Sequence, residues 1–270
     1  MNEGDVIFLS ASVPYRDEWT VGSRPSEIEE AIICIARAVF ARKGRLLFGG
    51  HPSVSPLVSA VASEYFPADP ARAIRPVVTF QSRLFEDVLP NETMEMVRMG
   101  WSTIEWTPVE KGKDDADTRQ RSLVALRERM LPPTFEATDD VIRRNDLRPP
   151  RVMIAVGGMN GIRDEALVFL QNRKSWGAGR RIYSFKSGGG AAARLLEPGQ
   201  KGLWPGTVPD VRALAALRAA LHARDIVDIE QAWHHNFTLP AAAPFQPYAA
   251  IAQWLLDTQL DAGGPGLRAR

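Results

Sequence analysis

The sequence predicts an α/β fold: a mainly parallel sheet with helices on both faces, plus a C-terminal helical extension. Three observations carry this. Short segments rich in Val, Ile and Phe alternate with longer ones whose apolar residues recur every three or four positions. Glycine clusters fall where such a strand ends and a helix begins. At 270 residues and 45% hydrophobic content, the chain can bury a substantial core.

The first strand is Asp5 to Ala11, DVIFLSA, an apolar run suited to a sheet covered on both faces. A helix follows from Pro25 to Lys43, with Ile28, Ile32, Ile35, Ala36 and Val39 on one side, Pro25 in the first turn and Gly44 as the cap. RLLFGG from Arg45 is the second strand. Ser55 as N-cap and Pro56 at the first helical position start the next helix, whose apolar face is Leu57, Val58, Val61, Ala62 and Tyr65. IRPVVTFQS from Ile74 is the third strand, Glu92 to Met99 a short helix, and STIEWTPV from Ser102 an alternating strand suited to a sheet edge. The charged run Glu110 to Asp117 reads as a solvated loop, and Thr118 to Met130 as a helix with Leu123, Leu126 and Met130 on one side. RVMIAVGG from Arg151 is the clearest strand, followed by a helix from Ile162 carrying Ala166, Phe169 and Leu170, then by the strand RIYSFKSGGG from Arg181. Beyond Gly206 the pattern becomes mostly helical, with VRALAALRAALHAR and YAAIAQWLLDTQL as amphipathic segments. The division expected is residues 1–205 for the α/β unit and 206–270 for the extension, packed on that unit or on a partner subunit. The terminal DAGGPGLRAR reads as frayed.

Composition narrows the function. With 33 Lys and Arg against 32 Asp and Glu, a net charge of +1 gives no general attraction to nucleic acid or to a membrane surface. An anionic ligand must be caught locally. Cys34, the single cysteine, lies among isoleucines and reads as a small buried apolar residue. No leader-like or membrane-length apolar run is present, so a cytoplasmic setting is expected. His234 and His235 lack an acid or cysteine cluster and read as part of a wet loop, and no metal site is expected.

The three glycine clusters are Gly49-Gly50-His51, Gly157-Gly158-Met159-Asn160-Gly161 and Ser187-Gly188-Gly189-Gly190. In a parallel sheet such turns share the C-terminal edge, where open α/β folds bind ligands. Glycine lets backbone approach a ligand closely, and amides at a helix N-terminus attract phosphate. The alternative is that tight strand-to-helix turns need glycine for their own packing. Neither a G-x-G-x-x-G spacing nor a P-loop pattern occurs, which argues against an ordinary dinucleotide dehydrogenase or P-loop NTPase. His51 can donate to phosphate or brace its loop. Ser10 and Ser12 suit ribose or phosphate, or a turn. Gln81 and Asn160 offer donors and acceptors either to a ligand or to loop backbone.

IFLSASVP, LFGGHPSVSPLV, VTFQS, GGMNGIRDE and SFKSGGGAA occur in that order, and together they resemble the SLOG superfamily. This is the Rossmann-like group of the lonely-guy phosphoribohydrolases and the DNA-processing Smf proteins, and the resemblance within it is to the branch associated with Sir2 and TIR effectors. It covers about Asp5 to Leu196. It implies a nucleotide-binding domain that senses an NAD-derived ligand such as ADP-ribose or its cyclic relatives. It also implies bacterial antiphage signalling, with a TIR or Sir2 effector or self-assembly as the output and a homo-oligomer as the working form. No further cofactor is implied. Lonely-guy enzymes carry Pro-Gly-Gly-x-Gly-Thr-x-x-Glu; here one residue is inserted and Ile162 stands at the threonine, so Glu165 aligns only approximately with the enzymatic glutamate. Binding therefore ranks above N-glycosidic hydrolysis.

Overall fold

The computed structural model describes residues 1–136, 138–198, 211–237 and 246–259. Among the described residues, seven strands form one sheet: β1 Val6–Ser12, β2 Arg45–Phe48, β3 Val77–Ser82, β4 Ser102–Thr107, β5 Val152–Gly157, β6 Ile182–Phe185 and β7 Ile226–Asp228. Their order is β4-β3-β2-β1-β5-β6-β7, and every neighbouring pair is parallel. The helices are α1 Asp17–Thr20, α2 Pro25–Ala41, α3 Ser55–Tyr65, α4 Asn91–Arg98, α5 Asp115–Met130, α6 Asp140–Asn145, α7 Asn160–Trp176, α8 Gly190–Leu195, α9 Val211–His222, α10 Ile229–Asn236 and α11 Tyr248–Trp254. A 3-10 turn, Arg83–Val88, follows β3, and a π turn, Leu255–Gln259, follows α11.

Strand order runs outward in both directions from β1, so its two neighbours, β2 and β5, lead to opposite halves of the sheet. This is the topological switch point of a Rossmann-like sheet, the place where crossovers on opposite faces leave a crevice above the strand ends. Period-two alternation divides the core. Ile7 and Leu9 of β1 join the layer under α2, α3 and α11, while Val6 and Phe8 join the layer under α5, α7, α8 and α9. All four side chains are at most 1% exposed. Each stabilises the fold by roughly 1.5–3 kcal/mol relative to exposure.

Several boundaries shift for local reasons. Ser55 is the first residue of α3 rather than its cap, because Val54 already has helical backbone angles and the Ser55 amide donates to the His51 carbonyl. β3 begins at Val77, since Pro76 has no N–H to donate to the ladder. α2 ends at Ala41, and Lys43 rather than Gly44 takes the positive φ, +54°. Asp114 caps α5 by accepting the Asp117 amide, so the charged run is part helix. β4 is indeed an edge strand. Cys34 is half-buried, not enclosed. The region beyond 206 contains a strand as well as helices: β7 extends the sheet beside β6. His234 and His235 belong to α10 rather than to a loop. The division at 205/206 and the terminal DAGGPGLRAR lie outside the described residues. Among the described residues, no helix is long and apolar enough to cross a membrane.

Candidate functional site

Above the switch point lies a cleft of about 1220 Å³, larger than the 300–1,000 Å³ usual for small-molecule sites. Its walls come from the ends of β1, β2 and β3 and from the helices α5 and α7. Of the residues singled out from sequence, Ser10, Ser12, Gly49, Gly50, His51, Gln81, Met159, Asn160, Gly161 and Glu165 line it. Gly157, Gly158, Gly188 and Gly189 do not.

Glu165 and Ser10 form the centre. Ser10, 1% exposed at the end of β1, donates from Oγ to Glu165 Oε2, joining the first strand to the first turns of α7. Burial pushes the Glu165 carboxyl up, Arg127 and the Ser10 hydroxyl pull it back down, and Asp164 adds an upward push. The net direction is upward, so the group holds its proton to higher pH than an ordinary glutamate. Arg127, 6% exposed, reaches from α5. A methyl group added to Gly161 would stand 3.4 Å from its Nη2, placing the guanidinium beside the first turn of α7. Asp164 holds two arginines, with Arg163 donating from Nε at 2.9 Å and from Nη2 at 2.7 Å, and Arg127 Nη1 standing 3.3 Å away. Positive charge therefore collects at the end of α7 where the helix dipole is also positive.

The Gly49-Gly50-His51 turn combines both readings that the sequence left open. Gly50 has φ +62°, and a methyl group there would come within 2.8 Å of Thr79 Cγ2, so this position needs glycine. Gly49 has open space toward the cleft, its nearest neighbours Glu165 Oε1 and Leu126 Cδ2 both 4.0 Å from an added methyl. His51 braces the loop: its Nδ1 accepts the Ser53 amide at 3.2 Å and meets Ser53 Oγ at 2.9 Å. An accepting Nδ1 assigns the proton to Nε2. Burial lowers the His51 pKa to about 4, so the ring is neutral at physiological pH. Gln81 serves the same loop, donating from Nε2 to the carbonyls of Gly49 and Gly50 at 3.4 Å while its Oε1 accepts the Ser82 amide at 2.9 Å.

The third glycine turn differs. A methyl group on Gly190, φ +65°, would meet the Gly157 carbonyl carbon and the Gly158 oxygen at 2.7 Å. One on Gly189 would meet the Gly22 oxygen at 2.3 Å. The Ala191 amide donates to the Gly158 carbonyl at 2.9 Å, binding the third turn to the second. Glycine is required at Gly189 and Gly190 for chain against chain, and Gly188 faces the Ile28 side chain, so neither Gly188 nor Gly189 belongs to the cleft wall. The anion seat of this turn is also taken: Glu230 Oε2 accepts the Lys186 and Ser187 amides, both at 2.8 Å. Gly157 and Gly158 are packing positions too, with Ile28 Cδ1 at 2.5 Å and Ile162 Cδ1 at 2.2 Å from their added methyl groups.

The sequence reading missed the wall built by α5. Asp115, Ala116, Arg119, Gln120, Leu123, Leu126 and Arg127 line the cleft at helical spacing. They grade from exposed at Arg119 to buried at Arg127. The spacing of Arg119, Leu123 and Arg127, each four residues on, was the available signal. Arg119 stands 5.7 Å over Phe85, and Tyr15, Val88 and Leu89 add apolar surface at the mouth. Among the described residues, no group of three or more metal-binding side chains occurs.

The sequence model of the SLOG cluster3 family matches residues 19–220, well over half the chain. This protein belongs to that family. The match begins within α1 and ends within α9, and so takes in all of the cleft except β1 and the segment Val13 to Arg16 that follows it. No protein with a curated description matches the chain. Among solved structures, the X-ray structure of TM1055, a structural genomics target, is similar at 16% identity and a TM-score of 0.38, covering 78% of this chain and 88% of that one. That likeness is too distant to bear on function.

Proposed function

We propose that the cleft binds an NAD-derived or related nucleotide, of the ADP-ribose or cyclic ADP-ribose type, and that the protein acts as its sensor. The observation that carries this is the meeting of Arg127, the first turn of α7 and the Ser10–Glu165 pair at the switch point. Phosphate belongs at the α7 end, where amides and guanidinium donors converge. Ribose hydroxyls find donor and acceptor partners in Ser10, Ser12 and Asn160. Ligand size follows from α5. From Asp115 at the mouth to Arg127 at the floor is twelve residues, about 18 Å of wall. That length suits a two-ended nucleotide, its distal base against Phe85, Tyr15 and Arg119. The output is the one the family resemblance implies, control of a TIR or Sir2 effector or of self-association in antiphage signalling. Ligand need only bind one state more tightly to shift the population.

The test is a thermal-shift and calorimetry panel of ADP-ribose, cyclic ADP-ribose and ribose 5-phosphate. At a hundred times its Kd a true ligand stabilises the fold by about 2.7 kcal/mol. No shift across the panel sinks the proposal.

A second reading rests on Glu165 alone. A carboxyl that keeps its proton to higher pH at the cleft floor can act as a general acid, passing that proton to the departing base of a nucleoside monophosphate while water adds to the anomeric carbon and returns a proton to the carboxylate; from NAD the nicotinamide leaves neutral, and the carboxylate takes the water's proton. Chromatography after incubation with NAD and nucleoside monophosphates separates the readings: free base formed by the wild type and absent in Glu165→Gln selects the hydrolase.

A further inference from the structure

On the far side of the third glycine turn, four side chains form a hydrogen-bonded chain independent of the cleft's ligand. Glu230 of α10, 5% exposed, holds the turn amides through Oε2 and receives Ser187 Oγ at Oε1. Ser187 Oγ lies 2.6 Å from Tyr248 Oη of α11. Tyr248, 2% exposed, donates to Glu27 Oε2 of α2 at 2.8 Å. Glu27 Oε1 receives Arg24 Nη1 at 2.9 Å.

The protons in this chain can be counted. It has three oxygen-to-oxygen contacts, Glu27 with Tyr248, Tyr248 with Ser187, and Ser187 with Glu230. The two hydroxyl groups supply two hydrogens. If both carboxyls are ionised, one contact sets lone pair against lone pair beside Tyr248 and Glu230, which are 2% and 5% exposed. A third hydrogen on Glu230 Oε1 satisfies all three: Glu230 donates to Ser187, Ser187 to Tyr248, and Tyr248 to Glu27. Glu230 Oε2 remains free to accept the two amides.

We infer that the Glu27–Tyr248–Ser187–Glu230 chain holds three protons, the third on Glu230, and that it is a pH-sensitive latch fastening α10 and α11 to the turn behind the cleft. Burial pushes the Glu230 carboxyl up and Asp228 adds to this, against the pull of Ser187 and the two amides. The charged groups around the latch are Arg24, just before α2, and Glu27 on α2; Lys186 on the β6 turn, Arg194 on α8 and Glu197 just beyond it; and Asp228, His234 and His235 on β7 and α10. Lys186 is engaged by Glu197 at 2.8 Å and Arg24 by Glu27, so neither stands as a dedicated counter-ion to an ionised Glu230. When Glu230 loses its proton, the Ser187–Tyr248 contact loses its hydrogen and α11 is released from the turn. Because Gly190 of that turn packs on Gly157 and Gly158, the latch bears on backbone that runs directly into the cleft.

The test compares the full chain with Glu230→Gln, whose amide reproduces a protonated carboxyl, accepting at one atom and donating at the other. A carboxyl raised in the folded state contributes stability that is complete below its unfolded value, near 4.5, and is lost as pH rises through the folded value. The unfolding constant of the wild type relative to Glu230→Gln should therefore climb about tenfold per pH unit above that point until the folded group has titrated. A flat ratio, or a wild type that gains on the variant as pH rises, overturns the inference. A second measurement does not need that variant to fold. Tyr248→Phe removes one hydroxyl and with it the need for the third proton, so the infrared difference spectrum between wild type and Tyr248→Phe, taken at the pH where the stability ratio begins to climb, should show one carboxylic acid band lost. The Glu165 carboxyl is common to both proteins and cancels. No difference in that region overturns the inference.

Discussion

The turns after β2 and β6 are both rich in glycine and do opposite things. After β2, Gly49 faces open space and the next residues line a cleft. After β6, Gly189 and Gly190 face backbone, and the amides that would attract a phosphate already donate to the carboxyl group of Glu230. A glycine cluster at a strand-to-helix turn thus announces close approach without saying of what. Here the partner is a ligand space in one case and the protein itself in the other, and only the second neighbour in space decides which.

The largest expected effect comes from exchanging the two kinds of glycine. Gly190→Ala puts a methyl group 2.7 Å from two backbone atoms at a positive φ, with no flexible side chain to yield. It should destabilise the protein by several kcal/mol, seen as a lowered denaturant midpoint or as insoluble expression. Gly49→Ala makes only ordinary contacts and should change stability by less than about 1 kcal/mol while its methyl group narrows the cleft beside Glu165. If the two variants were equally stable, the contrast between the turns would collapse.

Next is Arg127→Ala. Removing a buried cation beside the α7 terminus should cost about 2–5 kcal/mol of binding to a phosphorylated ligand, measured by calorimetry. It should also raise the Glu165 carboxyl further, since Arg127 is the largest influence pulling it down.

His51 gives a smaller effect of opposite sign to Glu230. Its folded pKa is depressed, from 6.5 to about 4, so the stability it contributes is present above 6.5 and lost as pH falls toward 4. Across that window the unfolding constant should rise about tenfold per unit of falling pH. His51→Asn should flatten this slope, and an unchanged slope would assign it to another group.

Smallest is Arg119→Ala. Exposed at the mouth, it should leave stability within about 0.5 kcal/mol. It should weaken ADP-ribose several-fold and ribose 5-phosphate not at all. Equal loss for both would mean that the ligand does not extend to the mouth.

Much of this architecture was legible in the chain. Apolar runs such as RVMIAVGG and the period of Ile28, Ile32 and Ile35 are strong signals, since burial on both faces of a parallel sheet leaves few other residue choices. β7 was not legible, because the three residues Ile226, Val227 and Asp228 are too few to show a period and lie between two helices. In the cleft, glycines and short polar residues after strands could be read. For the α5 wall the only signal was the four-residue spacing of Arg119, Leu123 and Arg127, and it is weak because an arginine on a helix ordinarily faces water, whereas the fold turns Arg127 inward. Glu230 escaped for a related reason: it sits in a helical stretch far along the chain from the Ser187 turn that it fills.

The two margins of the sheet limit how copies of this protein can meet. A margin strand offers unpaired amides and carbonyls to any passing strand, which makes it a hazard as well as a means of joining subunits. β7 is three residues long, leaving little to copy, and β4 carries Glu105, 3% exposed, paired with Arg144 and hydrogen-bonded by Asn145 of α6. An inward-pointing charge and a short strand are both devices that discourage end-to-end sheet growth. Any gathering of subunits is therefore expected to use helix surfaces rather than strand-to-strand extension of the sheet.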